Sequence, residues 1–388
     1  MKTILVAGGG TGGHVFPGLA VAHALRELAD VDVVFAGSPR GLETKIVPAH
    51  GYTLELLDVE PMKGGGPARA VRGALVAAKA MRHATGLVGR LRPSAVLSVG
   101  GYSAGPAALA CVRARVPLAI LEPNSALGLA NRLLAPFARR AYVAWSETAR
   151  LFRGDKARLY GVPLRPGFEP RAYSAKPGQR RVLVLGGSQG ATALNERLPP
   201  AIARTVAKVG DVHVVHQAGR ERAAAVKEAY ERAGVRTATV TEFIDDVADQ
   251  MSSADVIVAR AGAVTVAEIA AIGRASLLVP FPHAADDHQA KNALALGELG
   301  GAICIRQEAA DEVRLATELS LLFEDDERRV RMAHAAREHG HPHAAHDVAR
   351  DLLSLAGIGP KKKAEPVKAV NGSPRASATG VRPSKEVS

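Results

Sequence analysis

Short apolar runs rich in β-branched residues alternate with longer Ala/Leu-rich stretches along most of the chain. The runs predict strands, and the stretches between them predict helices that cross back over a parallel sheet. Strands are predicted near residues 3–7, 31–36, 54–59, 95–99, 117–121 and 141–144, and in a second series near 181–185, 212–215, 237–241, 256–259 and 276–279. The pattern therefore predicts an α/β protein.

The two series of predicted strands begin alike, because TILVAG and RVLVLG each run into a glycine-rich turn. This weak repeat predicts two Rossmann-like domains with parallel sheets facing across a cleft, where ligands bind beyond the carboxyl ends of the strands. Four prolines between residues 161 and 178 mark the boundary. We expect an amino-terminal domain over 1–162 and a carboxyl-terminal domain over 163–341. A helix over 342–357 is expected to pack back on the first domain, and 358–388 to form a disordered basic tail.

Composition narrows the class of partner. The 388 residues carry 50 Lys and Arg against 38 Asp and Glu, a net charge of +12, and residues 61–121 hold nine basic residues and no acidic one. Such a surface favours an anionic partner. No apolar run approaches the roughly 20 residues that a membrane-spanning helix needs, and the first apolar run is too short for a signal-peptide core. We therefore expect the protein to be made and kept on the cytosolic side. Two widely spaced cysteines predict neither a disulfide framework nor a cysteine zinc site.

Three glycine-rich turns, at residues 8–13, 100–105 and 186–191, each follow a predicted strand. Glycines and helix starts let backbone amides approach an anion closely. For the first turn alone, a purely structural role is an equally good explanation. No Lys-Ser/Thr pair follows that turn, which excludes a Walker-type loop, and the second strand ends without the acidic residue of a dinucleotide site. Together the three turns predict a cleft for a nucleotide-diphosphate donor and a phosphorylated acceptor.

Longer motifs identify a family. The segments GGGTGGHVFPGLAVAHAL, SVGGYSAGP, LEPNSALGLAN, GVPLR, VLGGSQGA, TEFIDD, RAGAVTVAEIAA and PFPHAADDHQAKNA occur in this order between about residues 2 and 355. They resemble the successive signatures of the MurG family, two-domain GT-B glycosyltransferases. The resemblance implies transfer of GlcNAc from UDP-GlcNAc to the C4 hydroxyl of MurNAc in lipid I, with inversion, giving lipid II for peptidoglycan synthesis. It implies neither a metal nor a cofactor.

The resemblance also implies site residues. On the donor side, Ile244 is expected at the uracil, Glu268 at the ribose hydroxyls, and the loop of Ser188, Gln189 and Gly190 at the diphosphate. Further donor contacts are expected from Thr11, Gly12, Gly13, Asn124, Arg165, His288 and Gln289. The acceptor diphosphate is expected at Gly10, Thr11, Gly12, Gly13, Gly101, Tyr102 and Ser103. His14 and Asn124 are the expected catalytic residues. The chain departs from the family pattern at Pro123, Val162 and His288.

Each of these residues also has a plainer explanation. An imidazole suits a general base, but whether His14 is the base or only positions the acceptor stays open. Glu268 near a helix start could merely interact with the helix dipole. His283, Asp286, Asp287 and His288 could be drawn as a metal site. We expect none there, because Asp286 and Asp287 also suit an ordinary helix start.

The segment 68–82 combines apolar residues with Arg69, Arg72, Lys79 and Arg82. A lipid-linked acceptor favours a peripheral enzyme on the cytoplasmic face of the bacterial inner membrane, bound to anionic lipids of that leaflet. Cell-wall synthesis proteins are further expected partners, and nucleic acid is not, since no recognition motif accompanies the charge. Alternatives are another GT-B enzyme, such as a UDP-GlcNAc epimerase or glycolipid synthase, a nucleotide-linked oxidoreductase, and a non-enzymatic basic binding protein.

Overall fold

Two parallel β-sheets, each with an apolar core on both faces, make up the computed structural model of the chain. The structure describes residues 1–59, 67–176, 178, 180–187 and 189–361. All pairings between the described strands are parallel. The predicted α/β class with two Rossmann-like domains is confirmed.

The amino-terminal sheet has seven strands in the order β3-β2-β1-β4-β5-β6-β7. Its strands are β1 (Lys2–Gly8), β2 (Val31–Gly37), β3 (Thr53–Leu56), β4 (Ala95–Gly100), β5 (Leu118–Glu122), β6 (Arg140–Val143) and β7 (Ala157–Leu159). The helices are α1 (Gly12–Leu28), α2 (Glu43–Ala49), α3 (Pro67–Leu91), α4 (Ala104–Arg113), α5 (Leu129–Leu134) and α6 (Ser146–Ala149). The strand order reverses between β1 and β4, and the first two glycine turns follow these two strands. They therefore flank the switch point, where ligands bind in open α/β sheets.

The carboxyl-terminal sheet has six strands in the order β10-β9-β8-β11-β12-β13. Its strands are β8 (Arg181–Leu185), β9 (His213–Gln217), β10 (Ala238–Thr241), β11 (Val256–Ala259), β12 (Ala275–Leu278) and β13 (Ala302–Cys304). The helices are α7 (Thr192–Val209), α8 (Ala223–Arg232), α9 (Val247–Ser253), α10 (Ala263–Ile272), α11 (His288–Glu298), α12 (Glu312–Glu324) and α13 (Asp326–Glu338). Here the order reverses between β8 and β11, so the third glycine turn also lies at a switch point.

Buried strands account for what the apolar pattern predicted and what it missed. The central strands are apolar on both faces, as in β4, where all six residues are buried. Strands β7 and β13 were not predicted, because each has only three residues and β7 is only partly buried at the sheet edge. Strand β3 ends at Leu56, earlier than predicted. Within the described ranges, no helix is long and apolar enough to cross a membrane.

The last helix, α14 (Ala344–Leu355), returns to the amino-terminal domain. Its buried face, which includes Val348 and Leu352, joins the apolar cluster formed by α1 and one face of the first sheet. Asp351 accepts hydrogen bonds from the Tyr142 hydroxyl at 2.9 Å and from Arg140 Nε at 3.1 Å. The chain therefore passes between the domains twice.

Candidate active site

The two glycine turns of the amino-terminal domain pack backbone against backbone. The Gly9 amide donates to the Gly100 carbonyl at 3.3 Å. Gly101 has φ +80°, and a Cβ atom there would overlap the Gly9 carbonyl oxygen. Glycine is required at Gly101 both for this backbone conformation and for the close approach. The turns thus form one continuous floor at the carboxyl ends of β1 and β4.

His14 lies on the first turn of α1, with its ring against Gly100. A Cβ atom on Gly100 would come within 3.0–3.1 Å of the imidazole. The Thr11 hydroxyl lies 3.1 Å from His14 Nδ1. Burial lowers the pKa of His14, and the opposing effect of the nearby Glu122 carboxylate is smaller. The imidazole is therefore mostly neutral at pH 7, which is the form that can accept a proton.

A buried carboxylate organises the segment after β5. Glu122 is 2% exposed and accepts hydrogen bonds from the Asn124 side chain at 3.0 Å, the Gly128 amide at 3.0 Å and the Asn131 side chain at 3.1 Å. Asn131 on α5 also accepts from the Ser98 hydroxyl at 2.8 Å. These contacts fix the Asn124 side chain on Glu122, and they hold Asn131 beside the second glycine turn, where a Cβ atom on Gly100 would lie 3.4 Å from Asn131 Nδ2. Pro123, where the chain departs from the family pattern, accepts at its carbonyl from the Trp145 indole at 3.2 Å.

One fully buried side chain links the domains at this point. Asn292 on α11 accepts a hydrogen bond from the Ser125 amide at 3.1 Å. Its Nδ2 donates to the Ala261 carbonyl at 3.3 Å and lies 3.5 Å from Asn124 Oδ1. The carboxyl-terminal domain is thereby held directly against the Asn124 segment, with His288 near enough to His14 to influence its pKa.

Glu268 is a buried carboxylate on α10, 8% exposed. Among the described residues it accepts no hydrogen bond, and its nearest cation is Arg165, with Nη2 3.9 Å from Glu268 Oε1. Burial raises the pKa of Glu268 to about 7, against the smaller opposing effect of Arg165. Buried acids are normally satisfied by donors, so a carboxylate left in this state is suited to a ligand that brings hydroxyl groups. The structure brings Arg165 and Glu268 together.

The third glycine turn closes tightly on the strand beside it. Gly190 has φ +71°, and a Cβ atom there would overlap the Ala218 carbonyl oxygen. Gln189 is exposed at the tip of the turn, and Ile244 is half-buried after β10. Ser188 lies outside the described residues.

The segment before α11 departs from the expected helix start. Asp286 and Asp287 both have φ +54°, in the left-handed region that non-glycine residues rarely adopt. Neither side chain caps α11, and Asp287 instead pairs with Arg306 at 3.0 Å. The expectation of an ordinary helix start was therefore wrong. His288 Nδ1 lies 2.7 Å from the Ala285 carbonyl, and Gln289 accepts from the Phe281 amide at 3.0 Å. Strain of this kind concentrates at functional segments.

The remaining predicted residues fall into two groups. Gly12, Gly13 and Tyr102 line the glycine floor, with the Tyr102 ring 38% exposed. Ser103 is buried, and its hydroxyl has no hydrogen-bond partner among the described residues. Over the same residues, no three His, Cys, Asp or Glu side chains are placed to hold a metal ion.

Two segments of the chain match the domains of a known protein family. Residues 4–143 match the Glycosyltransferase family 28 N-terminal domain, and residues 181–348 match the Glycosyltransferase family 28 C-terminal domain. The chain belongs to glycosyltransferase family 28. This confirms the resemblance that the motifs predicted. In both family 28 domains, the matched residues include the glycine turns at the switch points.

Among relatives in the family, a protein of Sorangium cellulosum is 51% identical over 92% of this chain and 89% of its own length. A protein of Acidithiobacillus ferrooxidans is 41% identical over 92% and 98%. Both are called UDP-N-acetylglucosamine–N-acetylmuramyl-(pentapeptide) pyrophosphoryl-undecaprenol N-acetylglucosamine transferase. The solved structure of Acinetobacter baumannii MurG is 32% identical, with a TM-score of 0.77 over 91% of this chain and 100% of that one.

A UDP-GlcNAc 2-epimerase from Neisseria meningitidis also superposes, with a TM-score of 0.61 over 91% of this chain and 100% of that one. It is only 12% identical. That likeness shows the shared fold alone. The relatives called transferases are far closer in sequence, which supports the glycosyltransferase prediction over the epimerase alternative.

Sequence reasoning missed several residues of the site. Glu43 lies outside every quoted motif, and Glu122, Asn131 and Asn292 occur in the motifs but received no role. A signal existed for Glu122, which directly follows a predicted strand at the cleft edge. Asn292 lies in the motif PFPHAADDHQAKNA, but the motif does not reveal that its partners Ser125 and Asn124 lie 167 and 168 residues away.

Proposed function

We propose that this protein transfers GlcNAc from UDP-GlcNAc to the C4 hydroxyl of the MurNAc unit of lipid I, giving lipid II and UDP. The observation that carries the proposal is the Asn292 contact, which sets the Asn124 segment of one domain against the donor elements of the other. A donor bound near Glu268 and an acceptor bound on the glycine floor would meet there. The names of the relatives supply the chemical identity of both substrates.

His14 is the proposed general base. The acceptor hydroxyl would attack the anomeric carbon, form the new glycosidic bond and break the bond to the UDP oxygen, with inversion. The hydroxyl proton would pass to His14. If Nδ1–H donates to the Thr11 hydroxyl, the lone pair lies on Nε2. The pKa of His14, lowered by burial, keeps that lone pair available at neutral pH.

The carboxyl-terminal domain is proposed to hold the donor. Glu268 would accept the ribose hydroxyls, Ile244 would meet the uracil with its backbone, and Gln289 and His288 would contact the sugar. Charge develops on UDP as it leaves, and the amides of the Ser188–Gly190 turn would stabilise it, with Arg165 close by. Preorganised donors of this kind commonly provide the largest part of catalysis. No metal or cofactor is required by this mechanism.

Attachment to the inner face of the bacterial membrane is proposed through an apolar surface on the amino-terminal domain. This α5 surface comprises Leu129, Leu133 and Phe137, which are 61%, 66% and 51% exposed. Arg132 and Arg139 are exposed beside it. An exposed apolar patch with a basic rim suits an anionic lipid surface. The opposite side of α5 carries Asn131 into the site, so docking there would bring the glycine floor close to a lipid-linked acceptor.

The decisive experiment is transfer of radiolabelled GlcNAc from UDP-GlcNAc to a lipid I analogue, with formation of the disaccharide measured by chromatography. A parallel reaction without acceptor measures hydrolysis and epimerisation of the donor. Acceptor-dependent formation of the disaccharide is the expected result. Release of free sugar or of a 2-epimer without disaccharide would reject the transferase proposal.

A further inference from the structure

Glu43, on the first turn of α2, is a buried carboxylate with no established part in the site. It is 1% exposed. Its Oε2 accepts from the Gly10 amide at 2.7 Å, and its Oε1 accepts from the Ser38 amide at 2.9 Å and the Ser38 hydroxyl at 3.0 Å. No Lys, Arg or His in the described ranges forms an ion pair with it. The carboxylate is therefore stabilised by neutral donors, one of them an amide of the first glycine turn.

Three glycines make room for this side chain. A Cβ atom on Gly9, Gly37 or Gly41 would overlap the Glu43 side chain. Gly37 and Gly41 do not have left-handed backbone conformations. Glycine is needed there because a side chain would overlap Glu43. Glu43 therefore accounts for glycine at these three positions, of which only Gly9 belongs to the first glycine turn.

Glu43 also connects the two glycine turns of the floor. The Tyr102 hydroxyl, in the second turn, lies 3.3 Å from the Ser38 hydroxyl, which in turn donates to Glu43. The first turn reaches the same carboxylate through Gly10. Glu43 therefore adds a side-chain connection to the direct backbone contact between the two turns.

We propose that Glu43 is a positioning residue for the acceptor, acting as an internal anion that fills the inner amide site of the first glycine turn. The acceptor diphosphate then binds only at the outer amides, those of Thr11, Gly12 and Gly13. Among the described residues these three amides have no protein acceptor, whereas Gly10 is already paired. A second anion at Gly10 would be repelled by the carboxylate. Gly10, one of the expected acceptor contacts, would then not contact the acceptor diphosphate.

The inference rests on the proposed transfer to lipid I and adds an electrostatic effect on its base. Three titratable groups face His14: Glu122 at the end of β5, His288 on α11 and Glu43 on α2. The two carboxylates raise the pKa of His14, against the larger lowering by burial. Removing the Glu43 charge should therefore lower that pKa further.

The test uses Glu43→Gln in the full chain. The amide is nearly isosteric, but its NH₂ group must face either the Gly10 or the Ser38 N–H, which sets donor against donor. Glu55→Gln is the matched control, since Glu55 lies on β3 of the same domain and pairs with Arg90 outside the site. A second variant, Gly41→Ala, keeps the charge and displaces the carboxylate. Its control is Gly89→Ala in α3, where a Cβ atom meets nothing within 4 Å.

Steady-state kinetics with a lipid I analogue, the pH profile of kcat, and calorimetry with UDP are measured for all four variants below their unfolding temperatures. Loss of a charge-assisted hydrogen bond predicts a rise of about tenfold or more in acceptor KM for Glu43→Gln and Gly41→Ala. UDP affinity should be unchanged. The acidic limb of the Glu43→Gln profile should move to lower pH, which a loss of packing alone would not cause.

The inference about Glu43 and the proposed function can fail separately. Wild-type acceptor KM in folded Glu43→Gln and Gly41→Ala would overturn the inference while leaving the proposed function intact. Failure of the wild-type protein to transfer GlcNAc to the analogue would reject the proposed function itself, whatever the variants do. If Glu43→Gln does not fold, wild-type acceptor KM in Gly41→Ala alone overturns the inference.

Discussion

The Asn292 side chain accepts a hydrogen bond from the Ser125 amide at 3.1 Å across the cleft between the two domains. Ser125 follows Asn124, and Asn292 lies one turn after Gln289 on α11. The contact therefore fixes α11 of one domain against the Asn124 segment of the other. A rotation that moved the two domains apart would break this bond. The effect of changing Asn292 therefore reports on closure of the cleft.

Asn292→Ala is expected to lower kcat by about tenfold, the effect of losing one buried hydrogen bond of about 1.5 kcal/mol that the closed cleft requires. UDP affinity, measured by calorimetry, should change much less, because the bond does not involve the predicted nucleotide contacts. Lys291→Ala, on the exposed side of the same helix, serves as control. An equal loss of UDP affinity in Asn292→Ala would show that the residue acts on the donor instead.

His14→Ala is expected to leave UDP binding nearly intact and to lower turnover by about 10²–10⁴-fold, the usual contribution of a general base. The measurement is kcat with a lipid I analogue in a folded variant. Turnover at the wild-type rate would remove His14 from the mechanism.

The wild-type pH profile provides a separate test of His14. A base must be neutral to accept a proton, and burial lowers the pKa of His14 below its ordinary value of 6.5. The acidic limb of kcat should therefore fall below pH 6.5 and disappear in His14→Ala. A limb that lies above pH 6.5 and survives the substitution would point to another group.

Glu268→Ala is expected to weaken UDP by one to a few orders of magnitude, since hydrogen bonds to a charged group contribute about 1.5–3 kcal/mol each. It should also abolish the preference for UDP over 2′-deoxy-UDP, and Glu268→Gln should be intermediate. Calorimetry with both nucleotides measures this. A helix-dipole role predicts equal weakening or none, so a preference that persists in Glu268→Ala would contradict the ribose assignment.

Glu268 should also make stability depend on pH. Its pKa is about 7 in the folded protein against an ordinary 4.5, so the folded state binds this proton more tightly. The contribution of Glu268 to the free energy of unfolding therefore falls as pH rises from 4.5 to 7. Without ligand, Glu268→Gln should unfold at a higher temperature than wild type at pH 8, and the gain should shrink towards pH 5. The exposed Glu298→Gln should show no such trend.

Membrane attachment predicts two sets of variants. Leu133→Ser with Phe137→Ser should weaken sedimentation with anionic liposomes, and Leu321→Ser, 41% exposed on the other domain, should not. Changing Arg69, Arg72, Lys79 and Arg82 to Gln should also weaken sedimentation, by about 1 kcal/mol for each basic residue near the surface. Activity on a water-soluble acceptor should persist in both sets. Unchanged sedimentation at low salt would place the attachment elsewhere, with Lys361, Lys362 and Lys363 the next candidates.

The fold could be predicted from the sequence because its signal is local. Strands such as β1 and β4 are buried on both faces, so an uninterrupted apolar run followed by glycine identifies each of them. Strands β7 and β13 lack that signal, since three residues at a sheet edge need little apolar surface.

The basic segment 68–82 is only partly described. Its side chains up to residue 75 lie outside the described part, and Lys79 is exposed and pairs with Asp58 at 3.4 Å.

The site was only partly predictable, for a physical reason. Glu268 and His14 could be proposed as site residues because each lies within one short motif. Residues that support those segments act across long stretches of chain. Glu43 satisfies a glycine amide 33 residues away, and a charged residue in a helix start carries no sequence mark of being buried.

The two connections between the domains run side by side, since a Cβ atom on Gly161 would overlap the His341 side chain. The carboxyl-terminal domain therefore begins and ends at neighbouring positions on the amino-terminal domain. We therefore expect that this domain, the proposed donor-binding part, can be exchanged for the matching domain of a relative with different nucleotide specificity, joined at these same two positions without a spanning linker. Chimaeras of this design would separate the choice of sugar from the choice of acceptor.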